Sequence, residues 1–598
     1  MKTIALISGG KDSLLAILAA YRYGHEPVVL VHLTPAAVGG ADAAAATSDA
    51  SSSMEMEQEL DSYMFQTVGS NVVGEIAHCL DLPLRMGFIE KGQSKDVSLA
   101  YSTSPDSLDE VEVLYRLLKA VKEEFPDVQG VTTGAILSNY QRLRVEAVCF
   151  RLGLLSLSYL WMRQPAEILD MAKELRLTAI LVKTASIGLD PRILIGQTLE
   201  EARPRLEAMA RQYGSHLAGE GGEYETTVLN FPMFKREYLT VISKRIVVVD
   251  DNPFAPSGHG IFTVARRPKG DEEMNDDAVL LKQLRDGKTI CFPSDVMSPL
   301  LLPGASPLST PAPSSAECWV KRCRTCALPD LGSSLGLEQF VAHEEAEALD
   351  ETATPDAAVR GMLDRWHAFA CPGSTRPFFF LFLAPTNSYC EAFDRAYEDS
   401  MRWIEPPGRL SVVDPHSLSG NRAQLHVYYS NQHRGAPTEC DNDAKVTVLH
   451  CQSRSHWAAG VFGPVAEGTL YHTASRSVCF VGPAYGLVPA LGTLAVETAL
   501  DSIPLQYEAS ASDFEAELCF AFANLMAYLS FFKLSPASVT HLTCVTTPEA
   551  PSDFVGRNGT PSSFYFRLFE KATVWIGHHP VWTLPFSAHV ALLAVCDI

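Results

Sequence analysis

Residues 1–250 alternate short apolar runs with longer segments in which apolar residues recur at helical spacing. Thr3–Ser8 and Pro27–Leu33 predict buried strands, and Ser13–Tyr23 predicts a helix rich in Leu and Ala. The alternation continues with strands predicted at Pro83–Ile89, Val128–Gly134 and Thr178–Val182, and with helices predicted at Asp61–Leu80, Asp109–Glu124, Asn139–Arg151 and Leu199–Arg211. Strands separated by helices predict βαβ units, and hence a mainly parallel sheet covered on both faces.

Two segments depart from this alternation. Residues 36–53 are almost entirely Ala, Gly, Ser, Thr and Asp, which bury too little apolar surface to offset the entropy of ordering them. They predict a flexible surface insertion. Residues 251–315 are first acidic and then rich in proline, and such a composition is typical of a linker between domains. We therefore place the first domain at residues 1–250.

The C-terminal half mixes strand-like segments with a few amphipathic helices. Helices are predicted at Asp356–Ala370, Tyr389–Met401 and Ala511–Phe531. This pattern predicts two α+β domains, at residues 316–435 and 446–598. The predicted fold class is therefore α/β, with a parallel-sheet domain followed by two α+β domains.

Charge and composition narrow the classes of function. The formal net charge is -22, and a surface this acidic repels phosphate backbones, so we expect no direct nucleic-acid partner. No apolar run approaches the roughly 20 residues that span a bilayer, and the opening run Met1–Ile7 is too short for a signal peptide. The 14 cysteines are scattered rather than spaced as a disulfide scaffold. We therefore expect a cytoplasmic protein with reduced thiols and no membrane association.

The strongest chemical signal lies between the first predicted strand and the first predicted helix. It is the sequence Ser8-Gly9-Gly10-Lys11-Asp12-Ser13. The two glycines let the backbone turn tightly and present N–H groups to an anion, and the helix N-terminus adds the positive end of its dipole. Lys11 supplies a full positive charge, and the serines supply hydroxyl donors. The segment therefore predicts a phosphate-binding loop.

This loop resembles the Ser-Gly-Gly-x-Asp-Ser signature of the ATP pyrophosphatase superfamily. The resemblance implies a parallel-sheet domain that binds ATP with Mg²⁺ and cleaves it between the α- and β-phosphates. A substrate oxygen is adenylated in the process. It also implies that Lys11 and Asp12 take part in catalysis. The residues implied to bind ATP are Ser8, Gly9, Gly10, Lys11, Asp12, Ser13 and Gly134.

Two further segments have the composition of ligand-binding loops. Gly134–Glu146 begins at the carboxyl end of a predicted strand, where open α/β sheets place their ligands. Gly219–Thr226 sets three glycines beside three carboxylates, which suits a loop close to a ligand or metal. Together with Glu59–Gly69, these segments resemble the diphthine–ammonia ligase family over about residues 1–250.

That resemblance implies amidation of diphthine on translation elongation factor 2. No glutaminase domain is visible, so the expected nitrogen donor is ammonium. Glu220 or Glu223 would accept the proton released when ammonia attacks. The residues implied to bind the substrate are Tyr63, Tyr140, Arg142, Gly221 and Gly222.

Other interpretations of these residues stay open at this point. Arg142 and Glu146 are four apart on a predicted helix and also fit a surface ion pair. Tyr63 and Tyr140 also fit core aromatics, and Glu220–Glu225 also fits a solvated acidic turn. At the level of function, the alternatives are an RNA-modifying ATP pyrophosphatase and a nucleotide-binding scaffold.

The C-terminal half carries a second resemblance. Cys451–Trp457 and the following Gly463-Pro464-Val465 resemble the start of a reactive-intermediate deaminase domain, and both α+β domains are expected to share that fold. That family places a catalytic arginine before its last strands. Arg409 matches this position in the middle domain, although it also fits a structural arginine, whereas the last domain has His578 and His579 instead.

A cysteine pair raises the question of a structural metal. Cys323 and Cys326 have the spacing of half a zinc site, but a closed zinc site needs four ligands and no second pair follows. We therefore predict no metal site beyond the Mg²⁺ that accompanies ATP.

Overall fold

The computed structural model of the 598-residue chain forms two compact units, Met1–Ser294 and Asp295–Ile598. The predicted insertion 36–53, Tyr63, Cys326 and the proline-rich end of the predicted linker lie outside the residues that the structure describes. Those described residues are 1–35, 72–89, 110–286, 320–323, 338–343, 354–370, 375–400, 408–413, 423–431, 445–450, 453–455, 467–472, 477–485, 487–488, 493–494, 513–546, 572–578 and 590–597.

A parallel sheet forms the centre of the first unit. Its strands are β1 (Lys2–Leu6), β2 (Glu26–Pro35), β3 (Leu84–Ile89), β4 (Val128–Thr132) and β5 (Leu155–Leu157). They lie in the order β5-β4-β1-β2-β3, and every neighbouring pair is parallel. The central strands are apolar along their length because helices cover both faces of the sheet. The predicted parallel α/β fold is thereby confirmed.

Five helices accompany these strands: α1 (Lys11–Arg22), α2 (Val73–Leu80), α3 (Glu110–Glu124), α4 (Asn139–Leu152) and α5 (Pro165–Glu174). Helix α1 is apolar on most of its surface, and Leu14, Leu15, Ile17 and Leu18 are at most 1% exposed. Helix α4 has a defined start, because the Ser138 hydroxyl accepts a hydrogen bond from the Gln141 N–H at 3.3 Å. Gly153, with a φ of 60°, ends it.

A second, antiparallel sheet completes this unit. It comprises β6 (Thr178–Ala185), β7 (Tyr224–Asn230), β8 (Glu237–Asp250) and β9 (Ser257–Pro268), in the order β7-β6-β9-β8. Three helices lie in the same stretch of chain: α6 (Pro191–Leu194), α7 (Leu199–Tyr213) and α8 (Asp271–Asp286). The first unit thus joins a parallel sheet to an antiparallel one.

Strand β9 and helix α8 show that much of the predicted linker was assigned wrongly. Lys269 is buried between them, and its ammonium donates to the Phe231 carbonyl at 3.0 Å and to Asp277 at 2.6 Å. The acidic run Asp271–Asp277 misled the composition argument, because acidic residues in the first turn of a helix also stabilise its N-terminus. Residues 257–286 therefore belong to the first unit.

The second unit contains a seven-stranded sheet, in the order β10-β22-β21-β23-β18-β17-β15, and a four-stranded sheet, in the order β11-β14-β12-β13. This mixture confirms the α+β class of the second half. Its elements are β10 (Val320–Cys323), β11 (Glu338–His343), α9 (Pro355–Phe369), β12 (Thr375–Ala384), α10 (Asn387–Ser400), β13 (Gly408–Val413), β14 (Gln424–Asn431), β15 (Lys445–Leu449), β16 (Ser453–Arg454), β17 (Gly468–His472), β18 (Ser477–Tyr485), β19 (Leu487–Val488), β20 (Thr493–Leu494), α11 (Asp513–Phe531), a 3₁₀ turn (Pro536–Ser538), β21 (Val539–Thr546), β22 (Thr573–His578) and β23 (Val590–Asp597).

One strand of the first predicted C-terminal domain pairs in the sheet of the second. Strand β10 lies within predicted domain 316–435, yet it pairs in parallel with β22 of predicted domain 446–598. The boundary between the two domains therefore does not follow the chain.

Among the helices that the structure describes, none is both long enough and apolar enough to cross a bilayer.

Candidate active site

The loop between β1 and α1 is held in shape by its own hydroxyl groups. The Ser8 hydroxyl accepts the Gly10 N–H at 3.3 Å. The Ser13 hydroxyl donates to the Gly10 carbonyl at 2.9 Å and accepts the Ser8 N–H at 3.3 Å. Gly9 has a φ of 86°, a backbone conformation that favours glycine. Gly10 caps α1 without a side-chain bond to the helix amides, which suits an N-terminus that receives an anion.

Neighbouring strands fix this loop from both sides. The Thr226 hydroxyl on β7 accepts the Lys11 N–H at 3.0 Å, and the Val228 N–H donates to the Gly9 carbonyl at 2.9 Å. On the other side, Gly134 follows β4 and contacts the loop so closely that an added Cβ would lie 2.9 Å from the Ser13 nitrogen. Both sheets of the first unit therefore position the loop.

Lys11 is a buried cation with its own partners. Its side chain is 3% exposed, and Nζ lies 2.9 Å from Asp12 Oδ2 and 2.6 Å from the Ala218 carbonyl. The Tyr224 ring lies beneath it, 5.0 Å from Nζ to the ring centroid. Burial opposes the charge, but Asp12 and Tyr224 outweigh it and raise the pKa of Lys11 above its ordinary 10.5. Lys11 therefore stays positively charged.

Asp12 has one oxygen engaged and one unpaired. Oδ2 faces Lys11, whereas Oδ1 is buried and accepts no hydrogen bond from the described residues. Burial raises the pKa of Asp12 above its ordinary 3.8, against the attraction of Lys11. An unpaired buried carboxylate oxygen is costly unless a ligand or cation meets it, so Oδ1 fits a bound metal ion or donor.

A glycine-rich loop at residues 216–223 forms another wall of the site. Glu223 shapes it from within, since Oε1 accepts the His216 N–H at 2.7 Å and Oε2 accepts the Gly221 N–H at 2.9 Å. Gly222, with a φ of 81°, makes the turn between Gly221 and Glu223. Both carboxylate oxygens of Glu223 are thus bound to loop amides.

Glu220 ties this loop to the start of α4. Its Oε1 accepts three backbone N–H groups, from Ile136 at 3.2 Å, Leu137 at 2.9 Å and Ser138 at 3.1 Å. The amides at a helix start lack partners within the helix, and the dipole there favours a carboxylate. Within the described part of the chain Glu220 Oε2 accepts no hydrogen bond, so this oxygen is left for a ligand or a proton.

These loops enclose a cavity of about 450 Å³. Most of the residues predicted for the site line it: Ser8, Lys11, Asp12, Ser13, Gly134, Glu220, Gly221 and Gly222. Gly9, Gly10 and Glu223 shape the walls from behind. A single cavity therefore brings together residues from positions 8 to 222 of the chain.

The cavity is also lined by Gln141, Tyr224, Glu225 and Thr226, which lie in the two predicted ligand-binding segments, and by His32 and Thr133, which the sequence analysis did not select. His32 is the most informative of them, since it lies near the carboxyl end of β2 and follows the apolar run Val28–Val31. A polar residue at that position of a buried parallel strand was a usable signal.

Arg142 and Tyr140 lie on α4 but do not line the cavity. Arg142 is 2% exposed, pairs with Glu146 at 2.9 Å and lies 4.7 Å from the Trp161 ring centroid. The alternative of a surface ion pair is therefore wrong, because the pair is buried. The Tyr140 ring is half-buried and lies 3.5 Å from the guanidinium carbon of Arg144. Their predicted role in substrate binding stays a prediction.

Arg409 in the second unit is also a paired cation. Its guanidinium lies 2.9 Å from Asp394, with the Tyr397 ring centroid at 4.9 Å and the Phe393 ring centroid at 5.8 Å.

Across the described stretches of both units, no group of three or more His, Cys, Asp or Glu side chains is arranged to hold a metal ion. His579 lies outside the described residues, as does the His578 side chain at the end of β22.

Comparison with known proteins gives the family. The family model "Diphthamide synthase C-terminal domain" matches residues 164–256. A diphthine–ammonia ligase of Danio rerio is 44% identical over 263 residues, which are 44% of this chain and 95% of that protein. The Homo sapiens enzyme of the same name is 41% identical over 256 residues, 43% of this chain and 88% of that protein.

A longer relative covers more of the chain. The diphthine–ammonia ligase of Saccharomyces cerevisiae is 40% identical over 510 residues, which are 82% of this chain and 69% of that protein. Among solved structures, a member of the Rid protein family from Yersinia pestis is 12% identical, covers 26% of this chain and 100% of its own, and has a TM-score of 0.18. On the relatives that it matches over two thirds or more of their length, this chain belongs to the diphthine–ammonia ligase family.

Proposed function

We propose that this protein amidates diphthine on translation elongation factor 2 with ammonium, giving diphthamide, AMP and pyrophosphate at the expense of ATP. The relatives carry the name of a ligase that joins diphthine to ammonia, which requires a new carbon–nitrogen bond. One observation carries the proposal. The buried cation Lys11, the open start of α1 and the glycine-rich loop 216–223 meet at a single cavity.

The first step activates the carboxylate of diphthine. One carboxylate oxygen attacks the α-phosphorus of ATP, and the bond from that phosphorus to the bridging oxygen breaks. Pyrophosphate leaves with the bonding electron pair, and a carboxyl-adenylate remains. Lys11 and the positive end of the α1 dipole stabilise the charge that grows on the leaving group.

Mg²⁺ suits this site through Asp12. It prefers oxygen ligands and is often held by one or two carboxylates together with substrate phosphates, and Asp12 Oδ1 is such an oxygen without a partner among the described residues. When bound, the ion neutralises charge on the phosphate oxygens. Asp12 would hold the ion through Oδ1, while its Oδ2 orients Lys11.

The second step forms the amide. The nitrogen of ammonia attacks the acyl carbon, the bond from that carbon to the AMP oxygen breaks, and AMP leaves. A proton must leave the nitrogen, and we assign its acceptance to Glu220 Oε2, while Oε1 stays on the α4 amides. Glu223 keeps both oxygens on the amides of its loop, so we assign it to holding the loop.

The glycines of this loop give the substrate access. Gly221 and Gly222 line the cavity without side chains, so the diphthine side chain reaches the reacting atoms past their backbone. Arg142 and Tyr140 stiffen α4 behind this wall, and through α4 they position the amides that hold Glu220.

The partner and compartment follow from this chemistry. The protein substrate is elongation factor 2 in its diphthine form, and the reaction takes place in the cytoplasm. Seven cysteines within the described residues are free thiols, which supports a reducing compartment: Cys79, Cys149, Cys390, Cys479, Cys519, Cys544 and Cys596.

The test combines two measurements on the purified full chain. Diphthine-bearing elongation factor 2, ATP and isotopically labelled ammonium are supplied, the modified peptide is analysed by mass spectrometry, and the nucleotides are separated by chromatography. We expect label in the peptide and AMP in equal amount. ADP as the main product would contradict the phosphoryl chemistry, and AMP formation that depends on RNA instead would favour the RNA-modifying alternative.

A further inference from the structure

The cavity has an apolar side and a polar side. Leu6 and Ile7 at the end of β1, with Val31 and Leu33 on β2, form the apolar side. The polar side is formed by the loop Ser8–Ser13 and by Glu220. Ile7 directly precedes the phosphate loop, so the base of a nucleotide with its phosphates on that loop has the apolar side within reach.

His32 lies in this apolar side and has one ring nitrogen free of partners. Its side chain is 1% exposed, and Nδ1 lies 2.8 Å from the Ile7 carbonyl oxygen. A carbonyl oxygen only accepts, so Nδ1 carries the proton and Nε2 carries a lone pair. Within the part of the chain that the structure describes, Nε2 has no hydrogen-bond partner.

The surroundings of His32 keep its imidazole ring neutral. Burial lowers the pKa of His32, although its bond to the Ile7 carbonyl opposes that shift. The ring is therefore a neutral acceptor at neutral pH. A buried acceptor without a donor is unfavourable, so a ligand that brings a donor to Nε2 is favoured over one that does not.

We infer that His32 determines which nucleobase the enzyme accepts, by accepting a hydrogen bond from the 6-amino group of adenine through Nε2. Guanine has a carbonyl oxygen at the same position, and an acceptor facing an acceptor is repelled. The inference rests on the proposed function only in taking the loop Ser8–Ser13 as the triphosphate site. It assigns His32 as a specificity-determining residue.

The experiment is a thermodynamic cycle on the full-length protein. Calorimetry measures the binding of ATP and of purine riboside triphosphate, which lacks the 6-amino group, to the wild type and to His32→Phe. The phenyl ring keeps the shape of the side chain and removes the lone pair. The wild type is expected to bind ATP about 5- to 150-fold more tightly than the analogue, whereas the variant binds both about equally.

His25→Phe is the matched control. His25 is also buried, at 5% exposure, and its Nε2 lies 2.9 Å from the Tyr159 hydroxyl, away from the cavity lining. This variant is expected to keep the wild-type ratio between the two nucleotides. A purely structural role of His32 lowers the affinity for both nucleotides together, so the ratio separates recognition from damage.

Two results would overturn the inference. One is equal affinity of the wild type for ATP and the analogue, which needs no variant to fold. The other is a His32→Phe protein that keeps the wild-type ratio. If either occurs while the wild type still forms AMP and diphthamide, the assignment of His32 fails and the proposed function stands. If the wild type binds neither nucleotide, both fail.

Discussion

The two units each pair a cation with a carboxylate and an aromatic ring, yet the surroundings of the two pairs differ. Lys11 has Asp12 at 2.9 Å and the Tyr224 ring centroid at 5.0 Å. Arg409 has Asp394 at 2.9 Å and the Tyr397 ring centroid at 4.9 Å. The first pair borders a cavity of about 450 Å³, whereas the Arg409 side chain is 14% exposed and lies against the Tyr397 and Phe393 rings.

This difference explains why we assign a catalytic role to Lys11 and not to Arg409. Pairing with a carboxylate stabilises the charge in either place, so the pair itself does not mark a site. Beside Lys11, the glycines of the two loops have no side chains and so leave space at the cavity. A charge that faces such space can stabilise a charge that develops on a substrate.

The sharpest test of this comparison removes each cation in turn. Lys11→Ala is expected to lower the rate of AMP formation about 10²–10³-fold, because a preorganised charge is lost from the transition state. Arg409→Ala is expected to leave that rate unchanged. Chromatography of the nucleotides measures the rate of AMP formation, and circular dichroism checks that each variant folds. Equal losses of rate in both variants would contradict the different roles assigned to Lys11 and Arg409.

The next test fills the space beside the loop. In Gly134→Ala, the new Cβ would lie 2.9 Å from the Ser13 nitrogen and must displace the phosphate loop. A shift of about 1 Å is expected to cost roughly 10²-fold in kcat/KM. Gly74→Ala is the control, because an added Cβ there meets no atom within 4 Å. Comparable activity of the two variants would show that the loop tolerates movement.

Variants of Glu223 test whether this carboxylate holds its loop in place or accepts a proton in the reaction. Glu223→Ala leaves the His216 and Gly221 amides without their acceptor, and amidation is expected to fall roughly tenfold. Glu223→Gln keeps one acceptor oxygen and is expected to fall less. Steady-state rates across pH decide between the roles. A Gln variant as slow as the Ala variant, with an altered pH profile, would identify Glu223 as the proton acceptor.

The contribution of the second unit can be measured by removing it. The Danio rerio relative is covered to 95% of its length by only 263 residues of this chain, so a family member exists without most of the remainder. Residues 1–294 alone are expected to keep kcat and to show a KM for the elongation factor raised roughly tenfold, since a recruiting domain acts through effective concentration. Folded protein that binds ATP without turnover at saturating substrate would place part of the active site in the second unit.

The smallest expected effect concerns pH and stability. The folded-state pKa of His32 is lowered below its ordinary 6.5, so below that pH the unfolded chain binds more protons than the folded one. Its contribution to stability is therefore present above about pH 6.5 and lost as the pH falls. Urea titrations at several pH values should show a loss of wild-type stability as the pH falls below about 6.5 that His32→Phe lacks. Parallel curves for both proteins would exclude this burial effect.

Contiguous signals in the sequence determined the main elements and the phosphate loop. The loop Ser8–Ser13 is a local motif between one strand and one helix, so its residues and their spacing are sufficient to predict it. Alternating strand and helix patterns likewise predicted the parallel sheet, because each element buries its own apolar residues. The acidic helix α8 was missed, since its contacts with the first unit join residues far apart in the chain, such as Glu273 with Asn230 and Arg285 with Glu26.

Only the tertiary structure decided how distant residues share the site. Glu220 meets amides that lie 82 to 84 positions earlier in the chain, and Lys11 meets the Ala218 carbonyl 207 positions away. The Arg142 side chain is buried against the Trp161 ring, and His32 lines the cavity from strand β2. Such contacts depend on where the two sheets of the first unit place their loops, and no local pattern of residues encodes that placement.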